Sequence, residues 1–166
     1  MWGRVSEYFR RYTAQEKIAN LLMEYGLKVR PEGIFCGEIK IPDQAIADAV
    51  GGDRRMVFAT VNTILRNPKL KQIFSKLLPT AHLKDVAPDL GWGVTDVAVG
   101  SETDRPGLLA SIVTIIANSN VNIKQVIVED VDAPVVHVVI ITETPMPGDS
   151  IHKIKDVKGV KSVTIS

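Results

Sequence analysis

Apolar residues recur along this chain in two rhythms, a helical one in the first half and an alternating one that sets in at Gly93. Trp2, Val5, Phe9 and Tyr12 fall at helical spacing and predict a short opening helix. Thr13 and Glu16 have the spacing of a capping box, which predicts a second helix carrying Ile18, Leu21, Leu22 and Tyr25 and stopped by Gly26. After a turn at Pro31-Glu32-Gly33, residues 34–41 predict one short strand. Residues 42–66 read as two helices around Gly51-Gly52: Ile46 and Val50 share a face of the first, Asp53 caps the second, and Val57, Val61, Ile64 and Leu65 give it an apolar stripe. Pro68 then opens a helix bearing Leu70, Ile73, Phe74, Leu77 and Leu78.

Residues 79–92, with prolines at 79 and 88 and aspartates at 85 and 89, are expected to be a linker. From Gly93 the order is strand (Thr95, Val97, Val99), helix (Leu108, Leu109, Ile112, Val113, Ile116), strand (122–129), strand (135–141), helix (150–157) and strand (Val160, Val163, Ile165). The apolar run at 135–141 is expected to be a central strand, covered on one face and paired on both edges. This βαββαβ order predicts a four-stranded antiparallel sheet with two helices on one face, a ferredoxin-like plan. The fold class expected is therefore α+β, with a helical domain over 1–78, possible wing included, a linker over 79–92 and a sheet domain over 93–166.

Charge changes this picture. Residues 1–90 carry 14 Lys and Arg against 10 Asp and Glu, a balance of +4, whereas 91–166 carry 6 against 9, a balance of −3. A mildly basic first part suits a polyanionic partner. No apolar stretch has the length of a signal peptide or a membrane span, so a cytoplasmic protein without a membrane partner is expected. Cys36 is the single cysteine, and His82, His137 and His152 are scattered, so neither a disulfide nor a metal site is expected, and no cofactor. Ser101, Asp104 and His137 or His152 lack the spacing of a nucleophile elbow or a phosphate loop, and no enzymatic activity is expected.

Between the first strand and first helix of the second half lies Asp104-Arg105-Pro106-Gly107-Leu108-Leu109-Ala110. Proline presets the first helical turn, glycine lets a ligand approach the backbone, and the helix start offers free amides to a carboxylate. Asn122-Ile123 opens the next strand. This loop, the helix and the Asn-Ile strand start, in βαββαβ order, resemble the ACT domain family across residues 93–166. The resemblance implies a non-catalytic module that binds a small effector, an amino acid above all, and pairs as a homodimer. It carries the effector-binding role to Asp104, Arg105, Pro106, Gly107, Leu108, Leu109, Asn122 and Ile123. The plainer reading is a tight strand-to-helix turn with Asp104 as its cap.

In the first half, the Ile46-Ala47, Val50-Gly51 and Val57 spacing resembles the helix-turn-helix family, with a small residue at the crossing, a turn glycine and an apolar anchor. Arg54, Arg55, Phe58, Ala59 and Asn62 then lie on the exposed face of the second helix, where arginine addresses guanine or phosphate and asparagine addresses adenine; Lys69, Lys71 and Lys76 add phosphate contacts. The alternative is a compact packing or dimerisation unit with a solvated helix start. Taken whole, the chain resembles the archaeal family of predicted amino-acid-metabolism regulators with an N-terminal helix-turn-helix and a C-terminal ACT domain. The function this implies is an amino-acid-responsive transcription regulator; the alternative is a regulatory subunit that senses an amino acid and docks on a metabolic enzyme.

Overall fold

The computed structural model describes residues 3–100, 106–129 and 133–166. The chain is mixed α and β, and it divides between Ala81 and His82 into two units. Trp2, Asp104 and Arg105 lie outside the described residues.

The N-terminal unit contains α1 (Gly3–Ser6), α2 (Thr13–Glu24), β1 (Lys28–Arg30), β2 (Gly33–Cys36), β3 (Ile39–Ile41), α3 (Asp43–Val50), α4 (Arg54–Arg66) and α5 (Pro68–Phe74). Its core is built from Phe9, Ile18, Leu22, Ile34, Ile64, Leu70 and Phe74, all fully buried. Val5 and Phe9 are buried as their spacing predicts, but the opening helix stops at Ser6 and Tyr12 is exposed. The capping box does not form: Tyr12 occupies the N-cap without a side-chain bond, and Thr13 is already helical. Residues 34–41 make two strands rather than one, because the chain reverses at Gly37, and β1 joins them in an antiparallel order β1-β2-β3. In β1 a single apolar residue, Val29, sits between two cations, so no alternation betrays it. Glu38 on the β2–β3 turn neutralises both, 3.1 Å from Lys28 and 2.7 Å from Arg30. Hydrogen bonds from Arg30 and Lys28 hold its carboxyl well below the usual range, at about 2.

The C-terminal unit contains β4 (Gly93–Gly100), α6 (Leu108–Asn118), β5 (Ile123–Glu129), β6 (Val135–Thr142), α7 (Gly148–Lys155) and β7 (Val160–Ile165). Its sheet runs β5-β6-β4-β7, every pair antiparallel, which is the ferredoxin-like arrangement that the element order predicts. On one face Val97, Val99, Val138 and Ile140 pack with Leu108, Ile112, Ile116 and Ile154 of the helices. The other face was expected to be open. It is covered instead by the segment leading into β4, whose Leu83, Ala87 and Trp92 pack on Val94, Ile127, Val139 and Ile141. The expected linker thus contributes residues 82–92 to this unit.

Gly26 closes α2 in the left-handed conformation (φ 61°), with Leu27 N–H donating to Leu22 O at 2.8 Å. A Cβ there would stand 2.3 Å from Leu78 O, whereas at Gly37, also left-handed, it would meet nothing within 4 Å. Gly26→Ala is therefore expected to cost about 3 kcal/mol, strain plus collision, and Gly37→Ala about 1 kcal/mol, strain alone. Denaturant unfolding of the two variants checks the difference.

Candidate functional site

Helix α4 begins where Asp53 Oδ1 accepts from the Arg55 and Met56 amides at 2.7 and 3.0 Å. Val57, Thr60, Val61 and Ile64 face the core. Of the residues predicted to read DNA, Arg54, Arg55 and Phe58 are exposed and Ala59 and Asn62 half-buried. At 100° per residue these five positions span about 140° of the helix. The structure keeps them on one face but splits them between two ridges. Arg54, Phe58 and Asn62 line a hollow of about 480 Å³, opposite Glu32, Lys40 and Asp43. Arg55 and Ala59 line another of about 370 Å³, with Arg11 and Tyr12. Thr63 Oγ1 donates to Gln15 Oε1 at 2.9 Å and so ties α4 to α2.

A feature of α4 and α5 goes beyond the spacing of the motif. From residue 54 to 81 the chain holds Arg54, Arg55, Arg66, Lys69, Lys71 and Lys76 and no Asp or Glu. All six cations are exposed, and none is in an ion pair among the described residues. The signal was legible in the sequence as a run free of acids.

In the C-terminal unit, Pro106 and Gly107 are exposed, Leu108 is buried in the core and Leu109 is 41% exposed. Gly107 has φ 99°, so the backbone itself demands glycine, and the space where a Cβ would stand is open. Pro106, Gly107 and Leu108 line a hollow of about 430 Å³ together with Ser111, Val157 and Lys158, residues that the loop motif does not announce. Helix amides and the Lys158 ammonium suit an anionic group there. Asn122 and Ile123 line a different hollow, of about 290 Å³. Asn122 Nδ2 donates to Glu143 Oε2 at 2.9 Å, and this bond, with the Lys124 charge, lowers the Glu143 pKa. The first hollow takes Leu108 and Ser111 from α6 and the second Val113 and Ala117, and no residue lines both. Within one chain, the two parts of the expected effector site do not meet.

A third cluster was not predicted. On the sheet face under residues 82–92, Lys84 Nζ lies 2.8 Å from Asp96 Oδ2 and 3.2 Å from Glu129 Oε2. His137 Nδ1 lies 2.7 Å from Asp96 Oδ1, and His82 Nε2 2.7 Å from Glu129 Oε1. Burial pushes the Asp96 and Glu129 carboxyls up, but their bonds with lysine and histidine prevail and hold both below the ordinary range. Lys84 is raised, chiefly by its bond to Asp96. The carboxylates therefore contribute stability above their usual pKa that is lost as pH falls through the folded values; the lysine contribution is lost only as pH rises past its own. Among the described residues no group of three or more His, Cys, Asp or Glu can hold a metal ion, and no helix is long and apolar enough to cross a membrane.

No model of a known family matches this chain, and none of the curated proteins does. Among solved structures, it is similar to the ACT domain of GTP pyrophosphokinase from Chlorobium tepidum, at 18% identity and a TM-score of 0.34, over 45% of this chain and 96% of that one. It is also similar to the C-terminal domain of the MgtC protein from Mycobacterium tuberculosis, at 11% identity and 0.37, over 45% of this chain and 84% of that one. For a homoserine dehydrogenase from Thiobacillus denitrificans the values are 19% and 0.37, over 72% of this chain and 26% of that one.

Because Gly107 is fixed by its backbone angle, Gly107→Ala is expected to cost about 1 to 2 kcal/mol through strain alone. Ser111→Ala, which removes only an exposed bond to Gly107 O, is expected to stay within about 0.5 kcal/mol. Thermal melts of both variants distinguish a loop that demands glycine from one that tolerates any residue.

Proposed function

We propose that this protein is a cytoplasmic, homodimeric transcription regulator that answers to an amino acid. In this reading α3 and α4 form the helix-turn-helix, α4 enters the major groove, and the C-terminal unit is an ACT-like effector domain. The observation that carries it is the pairing of two features in the N-terminal unit. Six exposed cations without an ion pair among the described residues, from Arg54 on α4 to Lys76 just past α5, support a phosphate-facing surface, and between Arg54 and Arg66 stand Phe58 and Asn62, able to touch base edges. The βαββαβ topology and the Pro106-Gly107 turn support the effector domain.

Two further observations support a dimer. Among the described residues strand β5 pairs only with β6, leaving one edge without a neighbour in the sheet, and Val126, Val128 and Leu109 stand 37%, 42% and 41% exposed. A second copy covers such an edge. It also offers the means of bringing Asn122 and Ile123 of one protomer to the Gly107 loop of its twin, which a single chain does not do.

The enzyme-docking alternative draws on Phe58, 63% exposed beside a hollow lined by the carboxylates of Glu32 and Asp43. An exposed aromatic next to acids suits a protein surface at least as well as DNA.

Fluorescence anisotropy on a pool of DNA fragments separates the two. The wild type is expected to bind with a steep salt dependence, and Arg54→Gln with Arg55→Gln to flatten the log-log slope by about 2 if both arginines touch phosphate. Equal, salt-insensitive binding by both proteins would transfer the case to the docking subunit. A thermal-shift screen of the twenty amino acids is expected to find at least one that raises the melting temperature, and Lys158→Ala to diminish that rise. Light scattering at micromolar concentration is expected to give twice the mass of the chain; a strictly monomeric mass would remove the symmetric reader of DNA.

A further inference from the structure

The segment 82–92 is bound to its sheet in a manner unlike the rest of the C-terminal core. Its apolar contribution is small: Ala87 is fully buried, but Leu83 and Trp92 are only partly so, over a cluster of Val94, Val139 and Ile141. Between the segment and the sheet, the hydrogen bonds and ion pairs run through side chains. Leu83 N–H donates to Gln125 Oε1 at 3.1 Å, Lys84 bridges Asp96 and Glu129, and His82 reaches Glu129. The internal backbone bonds of the segment, Ala87 to Leu83 and Trp92 to Ala87, fold it on itself without joining it to a strand. A backbone ladder such as β4 with β6 can only be broken strand from strand. A segment pinned by three side chains can lift while the sheet behind it stays paired.

We propose that residues 82–92 form an electrostatic latch on the helix-free face of the sheet, and that its opening lengthens the connection between the two units. Closed, the latch holds the chain from His82 onward against the C-terminal unit, while Leu78 and Pro79 pack against Gly26 in the N-terminal one. Open, residues 82–92 join the connection and add about 36 Å of chain at full extension. Lys84 is the pin, because it alone of the segment's residues touches carboxylates on two strands, β4 and β5. Among the described residues, the charged and titratable groups of this cluster and its segment are Asp96 of β4, Glu129 of β5, His137 of β6 and the segment's own His82, Asp85 and Asp89; the facing positions of β7, Ser162 and Thr164, carry no charge. The lowered Asp96 and Glu129 and the raised Lys84 agree with a pin that stays charged across the neutral range. The latch is independent of whether the N-terminal unit binds DNA, and it supplies a means by which events on the sheet alter the freedom of the other unit.

Native-state hydrogen exchange on the full chain tests this at single amides. The Ala87 and Trp92 amides are expected to exchange at least about tenfold faster than those of Val139 and Ile140 at neutral pH, by a local opening. Lys84→Met is expected to widen that gap about tenfold further while leaving Val139 and Ile140 unchanged. Raised salt on the wild-type protein screens the same charges and is expected to act in the same direction, which keeps the test open should the variant fail to fold. If Ala87 and Trp92 exchange together with Ile140 in the wild type, the segment is an integral part of the core and there is no latch. If neither the variant nor salt changes the ratio, the charges are not what holds it.

Discussion

The C-terminal unit depends on one requirement, that both faces of β6 be dry. Val138 and Ile140 point to the helices and Val139 and Ile141 away from them, and all four are buried. A strand without water on either side must satisfy its amides and carbonyls laterally, and β4 and β5 do so along nearly its whole length. From this follow the central place of β6 in the sheet, the pairing of helices on one side and the need for a cover on the other. The segment 82–92 meets that last need at the cost of half-burying charge, which its own Lys84 offsets by pairing with the two carboxylates of the sheet beneath it.

The division between Ala81 and His82 sharpens the asymmetry of charge. Residues 1–81 carry 13 Lys and Arg against 8 Asp and Glu, and residues 82–166 carry 7 against 11. In the proposed function the basic unit meets a polyanion and the acidic unit a small effector. They constitute a regulator only if one binding event changes the free energy of the other, typically by about 1 to 3 kcal/mol. In the proposed function such coupling has two routes: a dimer whose effector site is assembled from both protomers, and a connection whose length is set by the side-chain latch.

What the sequence made legible, and what it hid, follows from range. Signals confined to a few residues held: Asp53 caps α4, Gly26 closes α2, and the nearly continuous apolar run at 135–141 is a central strand. Signals that need a distant partner did not. Strand β1 is invisible because Lys28 and Arg30 read as solvated until Glu38 is brought to them by a turn. Residues 82–92 read as a linker because their proline and aspartate content is that of a loop, and nothing local shows that Ala87 is fully buried. The Thr13 capping box failed by one position, since Tyr12 ends the preceding turns and already supplies the first carbonyl of the helix, to Glu16. At the candidate effector site the motif gave the loop, but Ser111 and Lys158 come from α6 and the turn before β7 and share no pattern with it.

In the proposed function, effector and DNA act on one another through the chain. Thermodynamic reciprocity supplies its most direct measurement: calorimetric affinity for the best amino acid of the screen, with and without saturating DNA, set beside DNA affinity with and without that amino acid. The account predicts that both affinities change by the same factor, on the order of 5-fold to 150-fold. An amino acid that binds equally well to free and DNA-bound protein would contradict it.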